Sequence, residues 1–195
     1  ADYVLDVVDL ADALARDRLV LVGHSMGGSI AALLAGAFPD RPERLAILDG
    51  LRVHESEETP PQRMARWIEA TRRARARPPR VFPSIEAAAE RIRALDPRCP
   101  PEEARFLAER ATSPAPGGLA FQHDPLHPTP GPYPFRLENA LAFYRAVRCP
   151  VLLLDAAESE LPPPPDLAER VAAFANARRE VVAGAGHMMM RHRPE

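Results

Sequence analysis

Residues 19–36 read LVLVGHSMGGSIAALLAG, an apolar run that passes through a Gly-x-Ser-x-Gly turn into a second apolar run. The first run, residues 19–22, is continuous and rich in valine and leucine, as in a buried parallel strand. The second run repeats apolar residues at helical spacing, at Ile30, Leu33, Leu34 and Ala37. Strand, turn and helix in this order predict a nucleophile elbow, with Ser25 on the bend and its hydroxyl exposed at a helix N-terminus.

Three glycines surround this serine. A bend of this kind is so sharp that we expect Gly23 and Gly27, on either side of it, to be positions where only a small residue fits. Gly28 is expected to let the new helix pack closely against the sheet.

Length and composition set limits on partners and location. The chain has 195 residues, 46% of them hydrophobic, which is enough for a real core in one or two domains. The formal net charge of −2 argues against a polyanionic partner, and the arginines of residues 72–80 lack the interleaved aromatic residues of a nucleic-acid site. No apolar run approaches the ~20 residues of a membrane span, and the two cysteines have no metal-ligand spacing. We therefore expect a small-molecule substrate, a cytoplasmic location and no cofactor, metal or nucleic acid, while the oligomeric state stays open.

Apolar segments alternate with helical patterns at both ends of the chain. Residues 2–15 predict an amphipathic helix, whose apolar face carries Val4, Val7, Val8, Ala11 and Leu14. Further strands are predicted at residues 44–48, 151–154 and 179–183, and helices at residues 137–147 and 167–175. Since a helix between two apolar strands forms a βαβ unit, the fold class is α/β with a parallel sheet.

The alternation stops between Leu51 and Val147. Helical patterns at residues 62–75, 85–95 and 102–111 follow one another, separated by proline-rich breaks and without an apolar strand among them. Residues 117–125 predict a turn with a short extended run. We therefore interpret residues 1–50 and 148–195 as an α/β core and residues 51–147 as an inserted helical lid.

A serine becomes a nucleophile when a base takes its proton and a third group holds that base. His187 follows a strand end in the sequence Gly-Ala-Gly-His near the C-terminus, where the strand-end layout brings it over Ser25. His24 lies inside the elbow, which turns its side chain elsewhere, and the remaining histidines lie in loops where a solvated side chain is the ordinary explanation. The candidates for the walls of a substrate pocket are His24, Trp67, Phe121, His123 and Phe135.

Two positions compete for the acid that orients the base. Asp49 ends the strand after the elbow, one strand-helix-strand step beyond Ser25, which places its carboxylate at the top of the adjacent strand. The competing carboxylates, Glu158 and Glu160, follow the next strand. We favour Asp49, although a polar residue at this position can also merely cap a strand end.

Gly-His-Ser-Met-Gly-Gly resembles the elbow of the α/β-hydrolase superfamily, and Gly-Ala-Gly-His resembles its histidine loop. Within it, Leu-Asp-Gly after the second strand, the helical insertion and Gly-Gly-Leu-Ala-Phe-Gln-His-Asp resemble the serine hydrolase-like proteins. The resemblance implies a serine hydrolase that cleaves an ester, thioester or amide of a small to medium apolar molecule. The alternative is a non-catalytic or truncated protein of hydrolase fold, which binds a ligand or is a remnant.

The sequence departs from this family pattern in two places. Many relatives carry the acid after the third strand as Gly-x-x-Asp, where this sequence has Ala156 and Ser159, and this departure favours Asp49. The resemblance also implies about four further strands before residue 2, together with the second oxyanion donor, which leaves the backbone N-H of Met26 as the donor assigned here. We therefore interpret the chain as a C-terminal fragment and expect residues 1–195 alone to be aggregated or molten, and inactive.

Overall fold

The structure is a computed structural model that describes residues 2–195. Its helices are α1 Asp2–Ala13, α2 Met26–Ala37, α3 Pro60–Ala76, α4 Ile85–Leu95, α5 Pro101–Ala111, α6 Leu137–Ala146, α7 Leu167–Ala172 and α8 Met189–His192. Its strands are β1 Leu19–His24, β2 Pro42–Leu48, β3 Val81–Phe82, β4 Thr112–Ala115, β5 Gly118–Phe121, β6 Val151–Ala156 and β7 Ala177–Val182. The chain divides into two compact units: unit 1 contains the residues up to Glu55 and those from Phe135 onward, and unit 2 is Ser56–Pro134.

Unit 1 is built on a four-stranded sheet in the order β1-β2-β6-β7, in which every neighbouring pair is parallel. The sequence prediction of a parallel α/β sheet is confirmed. The register pairs His24 with Leu48, and Leu48 with Leu154. Because parallel strands end at the same edge of a sheet, the residues that follow β1, β2, β6 and β7 come together there.

The core of unit 1 lies between this sheet and helices α2 and α6. Leu34 of α2 and Leu45 and Ile47 of β2 are each 1% exposed. Tyr144 of α6 stacks on Phe174 with 4.6 Å between the ring centroids. Helix α6 thus packs into the core of unit 1, although the sequence-based boundaries placed it in the insertion.

Strand β1 forms one edge of the sheet and leaves apolar side chains in solvent. Val20 is 63% exposed and Val22 is 68% exposed. The expected apolar face of α1 holds for Ala11, which is buried, but is wrong for Leu14, which is 61% exposed. The reason is that α1 ends at Ala13 and that Ala15, with φ 51°, turns the chain out of the helix.

Unit 2 combines helices with a three-stranded antiparallel sheet in the order β3-β5-β4. The expectation that no strand lies among the helical patterns is wrong for β3, whereas the short extended run predicted within residues 117–125 is present as β5. These strands have two to four residues each, too few for an alternating pattern to be visible in the sequence. A cluster of buried side chains from β3, α4 and α5 forms the core of unit 2: Phe82, Ala88, Ala89, Cys99, Ala104 and Ala108.

Helix α3 carries much of the arginine-rich segment and buries none of its residues. Among residues 2–195, the structure contains no helix that is both long enough and apolar enough to cross a bilayer.

Candidate active site

Ser25 is the single residue between the end of β1 and the start of α2, and its backbone is forced into an unusual conformation. Its φ is 53° and its ψ is −122°. A non-glycine residue held in such a region costs of order 1–3 kcal/mol. The turn is fixed by the Ser25 N-H, which donates to the Leu48 carbonyl at 2.9 Å, and by the Gly28 N-H, which donates to the Ser25 carbonyl at 3.0 Å. The sequence prediction of a strand, a turn and a helix around this serine is confirmed.

The glycines on either side of Ser25 are not equivalent. A Cβ atom on Gly23 would lie 2.3 Å from the carbonyl oxygen of Gly27, a distance that no side chain tolerates. A Cβ atom on Gly27 would meet nothing within 4 Å. The expectation that both positions must be small is right for Gly23 and wrong for Gly27, because only Gly23 faces the turn that follows it.

His187 lies in the loop after β7 and contacts both of its expected partners. Its Nε2 is 2.9 Å from the Ser25 hydroxyl oxygen. Its Nδ1 is 2.8 Å from Oδ2 of Asp49. With the ring proton on Nδ1, the imidazole donates to Asp49 and accepts the hydroxyl proton of Ser25. The structure therefore joins these three side chains in one chain of hydrogen bonds.

Asp49 follows β2 directly, and its side chain is fully buried. Its backbone has a φ of 47°, and its N-H donates to the Leu154 carbonyl at 2.7 Å. Burial by itself raises the pKa of the Asp49 carboxyl. Hydrogen bonds from His187, Ser159, Arg52 and the Ala156 backbone outweigh that effect and hold the pKa below its ordinary value. The carboxylate thus stays charged beside His187.

The two competing carboxylates lie in the loop after β6 but differ from Asp49 in what they contact. The Glu160 carboxylate accepts a hydrogen bond from the backbone N-H of His187 at 3.0 Å. Glu158 contributes its backbone N-H to the Ala185 carbonyl at 2.8 Å. Glu160 therefore holds the backbone of the loop that carries His187, whereas Asp49 holds its ring.

His24 also holds this loop. Its Nε2 donates to the backbone carbonyl of His187 at 2.7 Å, and the two imidazole rings lie 4.6 Å apart. Burial lowers the pKa of His24, which favours the neutral form of the ring. A second histidine contacts the loop that carries His187, since the Gly186 N-H donates to Nδ1 of His192 at 3.0 Å.

The remaining candidates for pocket walls are distributed over both units. In unit 1, the guanidinium of Arg170 lies over the ring of Phe135 at 5.0 Å. In unit 2, Phe121 packs edge-on against Phe82 at 5.2 Å, His123 lies 6.1 Å from the Phe121 ring, and Trp67 is half-buried on α3. These contacts give Phe121, His123 and Phe135 a packing role, and the assignment of all these residues to a pocket stays a prediction.

Arg52 and Ser159 also contact the Asp49 carboxylate, and the sequence did not single them out as parts of the site. Arg52 Nε donates to Oδ1 at 2.5 Å, and Ser159 Oγ donates to Oδ2 at 2.6 Å. Ser159 could have been identified from its position, because it stands where many relatives carry the acid. The signal for Arg52 was weaker: a charged residue three positions after Asp49, in an otherwise apolar stretch.

Sequence and structure comparisons identify proteins that are similar to this chain. A model of the alpha/beta hydrolase family matches residues 1–195. Serine hydrolase-like proteins are 27% identical over 159 residues in Dictyostelium discoideum (78% of this chain, 44% of the relative) and 32% identical over 127 residues in Danio rerio (63% and 39%). The chain thus spans less than half the length of these two curated relatives.

Two further relatives are similar over nearly the whole chain. The 2-(acetamidomethylene)succinate hydrolase of Mesorhizobium japonicum is 27% identical over 194 residues, which are 100% of this chain and 66% of the relative. Among solved structures, the selenomethionine-substituted form of a hypothetical protein from Pseudomonas aeruginosa PAO1 is 34% identical, with a TM-score of 0.86 and coverage of 98% of this chain and 67% of that one.

Proposed function

Because the chain belongs to the alpha/beta hydrolase family, we propose that it carries the catalytic serine site of an esterase-like hydrolase. Ser25 is the nucleophile, His187 the general base and Asp49 the acid that orients the base. One observation carries this proposal. The His187 ring lies 2.9 Å from the Ser25 hydroxyl through Nε2 and 2.8 Å from the Asp49 carboxylate through Nδ1.

The reaction that suits this arrangement is acyl transfer to water in two halves. In the first half, Ser25 Oγ attacks the substrate carbonyl carbon while its proton passes to Nε2 of His187. Asp49 stabilises the imidazolium that forms. The tetrahedral intermediate then collapses, and the leaving group takes the proton from Nε2. In the second half, His187 takes a proton from water, the resulting hydroxide equivalent attacks the acyl carbon, and Ser25 recovers its proton as the acid product leaves.

The negative charge on the intermediate requires a donor beside Ser25. Met26 is the first residue of α2, and the first N-H groups of a helix have no acceptor within the helix itself. We assign the Met26 N-H as one donor of the oxyanion hole.

The substrate class is an ester, thioester or amide of a small to medium apolar molecule. The name of the Mesorhizobium japonicum relative supports carbonyl hydrolysis of this kind, since its substrate carries an acetamido group. The proposal also assigns the selection of the substrate to the inserted segment, Ser56–Pro134.

A fluorophosphonate probe tests this proposal without knowledge of the substrate, because it reacts with an activated serine. We expect the full-length protein to be labelled on Ser25, and Ser25→Ala to abolish the labelling. Ser29→Ala is the matched control, because Ser29 lies on α2 nearby but donates its hydroxyl to the Gly50 carbonyl at 3.0 Å. Labelling that persists in Ser25→Ala, or is lost only in Ser29→Ala, refutes the proposal.

A further inference from the structure

The Asp49 carboxylate accepts four hydrogen bonds, two on each oxygen. Oδ1 accepts from Arg52 Nε at 2.5 Å and from the Ala156 backbone N-H at 3.2 Å. Oδ2 accepts from Ser159 Oγ at 2.6 Å and lies 2.8 Å from His187 Nδ1. His187 therefore shares this carboxylate with a guanidinium, a hydroxyl and a backbone amide.

Arg52 is itself held rigidly. Its side chain is 8% exposed, and its guanidinium donates to the Leu161 carbonyl at 2.6 Å and to the Ala156 carbonyl at 3.3 Å, in addition to Asp49. The forked, planar guanidinium can donate to three oxygens that lie in different directions. The two carbonyls belong to the end of β6 and the loop after it, which also carries Ser159. Arg52 and this loop thus enclose the carboxylate together.

We propose that Arg52 and Ser159 are positioning residues that fix the Asp49 carboxylate and share its negative charge, and so set how strongly this carboxylate acts on the His187 ring. The inference rests on the proposed function of the site. Its physical basis is that protonated imidazole is stabilised by the carboxylate charge that faces it. A fixed positive charge and a hydroxyl donor on the same carboxylate reduce that stabilisation.

Other charged and titratable groups also surround the Asp49-His187 pair. They are His24 at the end of β1, Glu160 after β6, and Arg191 and His192 of α8. A substitution at position 52 or 159 changes none of these groups chemically, and of them only Glu160 lies in the loop that Arg52 and Ser159 contact. A change in the pH dependence of such a variant therefore reports on the carboxylate contacts.

The test measures the rate constant of fluorophosphonate labelling of Ser25 against pH in the full-length protein. The readout is the pH at which the labelling rate is half of its maximum. Arg52→Met removes the charge and the donors, and we expect it to raise this midpoint by about half to one pH unit. Ser159→Ala removes one neutral donor, so we expect a smaller shift in the same direction. Arg52→Lys keeps the charge, so its midpoint is expected to stay nearer that of the unsubstituted protein.

Each outcome distinguishes this inference from the proposed function. If Ser25→Ala is still labelled, the proposed function fails. If Ser25 is the labelled residue but the midpoint does not move in Arg52→Met and Ser159→Ala variants that melt like the unsubstituted protein, only the present inference is overturned. An Arg52→Lys midpoint that moves as far as that of Arg52→Met overturns the sharing of charge. If Arg52→Met does not fold, Ser159→Ala alone tests the inference: a raised midpoint supports it, and an unchanged midpoint overturns it.

Discussion

At the scale of single residues, two carboxylates contact different parts of His187. Asp49 contacts the ring of His187, and Glu160 contacts the backbone of the same residue. We expect Asp49→Asn to lower kcat by a factor on the order of 10⁴, as in a serine protease triad, because the amide no longer selects the imidazole tautomer that accepts the Ser25 proton. Steady-state hydrolysis of an activated ester checks this.

Glu160→Gln is the matched exchange of a carboxylate for an amide. Its side-chain oxygen still accepts the bond from the His187 N-H, so we expect a far smaller loss of kcat. If Glu160→Gln costs more than Asp49→Asn, the acid lies in the loop after β6, as the competing sequence interpretation had it.

The buried pair of Asp49 and Arg52 also makes a prediction for stability. The pKa of Asp49 in the folded state is lowered from 3.8. The ionised carboxylate therefore contributes fully to the free energy of unfolding above pH 3.8, and this contribution is lost as the pH falls below 3.8 towards the folded-state pKa. At neutral pH, Asp49→Asn leaves the Arg52 charge buried without its counter-ion, which costs about 3–5 kcal/mol. Urea unfolding at neutral and at acid pH should therefore show the difference between the two proteins narrowing in acid. If the difference in unfolding free energy between the two proteins is the same at both pH values, the lowered pKa of Asp49 is contradicted.

At the scale of secondary structure, the elbow gives a matched pair of glycine substitutions. Gly23→Ala places a methyl group 2.3 Å from the Gly27 carbonyl oxygen, so we expect the turn to shift, the protein to lose stability and the labelling of Ser25 to fall sharply. Gly27→Ala has open space around it and lies in a helix, where alanine is favoured over glycine by about 0.5–1 kcal/mol. We therefore expect Gly27→Ala to melt at the same or a higher temperature and still be labelled. Equal damage from both substitutions contradicts this difference.

The elements that the sequence predicted well are the ones with a strong periodic signal. The strand at Leu19–His24 and the helix at Ile85–Leu95 could be identified from apolar runs and helical spacing. The two-residue strand Val81–Phe82 could not, because its pairing with β5 is a long-range contact that leaves no local pattern.

The same limit applies to the site. The sequence predicts that Ser25, Asp49 and His187 lie close together, because each follows a strand of the parallel sheet and strand ends meet at one edge. Arg52 was not predicted, because an arginine in a loop normally extends into solvent. Its burial depends on two carbonyls from the other half of unit 1, at Ala156 and Leu161.

At the scale of the whole molecule, the exposed edge of the parallel sheet determines how residues 1–195 behave when produced alone. Val20 and Val22 are 63% and 68% exposed on an edge strand, and such edges promote association with other chains. We expect this polypeptide to self-associate in sedimentation experiments, and lysine at either position to reduce the association. A monodisperse product that melts cooperatively, unaffected by these substitutions, contradicts the prediction.

The polypeptide leaves unit 1 after Glu55 and returns at Phe135, and these two points adjoin, since the Leu137 N-H donates to the Glu55 carboxylate at 3.1 Å. Ser25 and Asp49 precede the exit, and His187 follows the return. In evolutionary terms, the DNA between these junctions can be lengthened, shortened or recombined with that of a relative. Such changes leave the codons for the strands of the parallel sheet unaltered. Selection can therefore change the inserted segment without changing the codons of Ser25, Asp49 or His187.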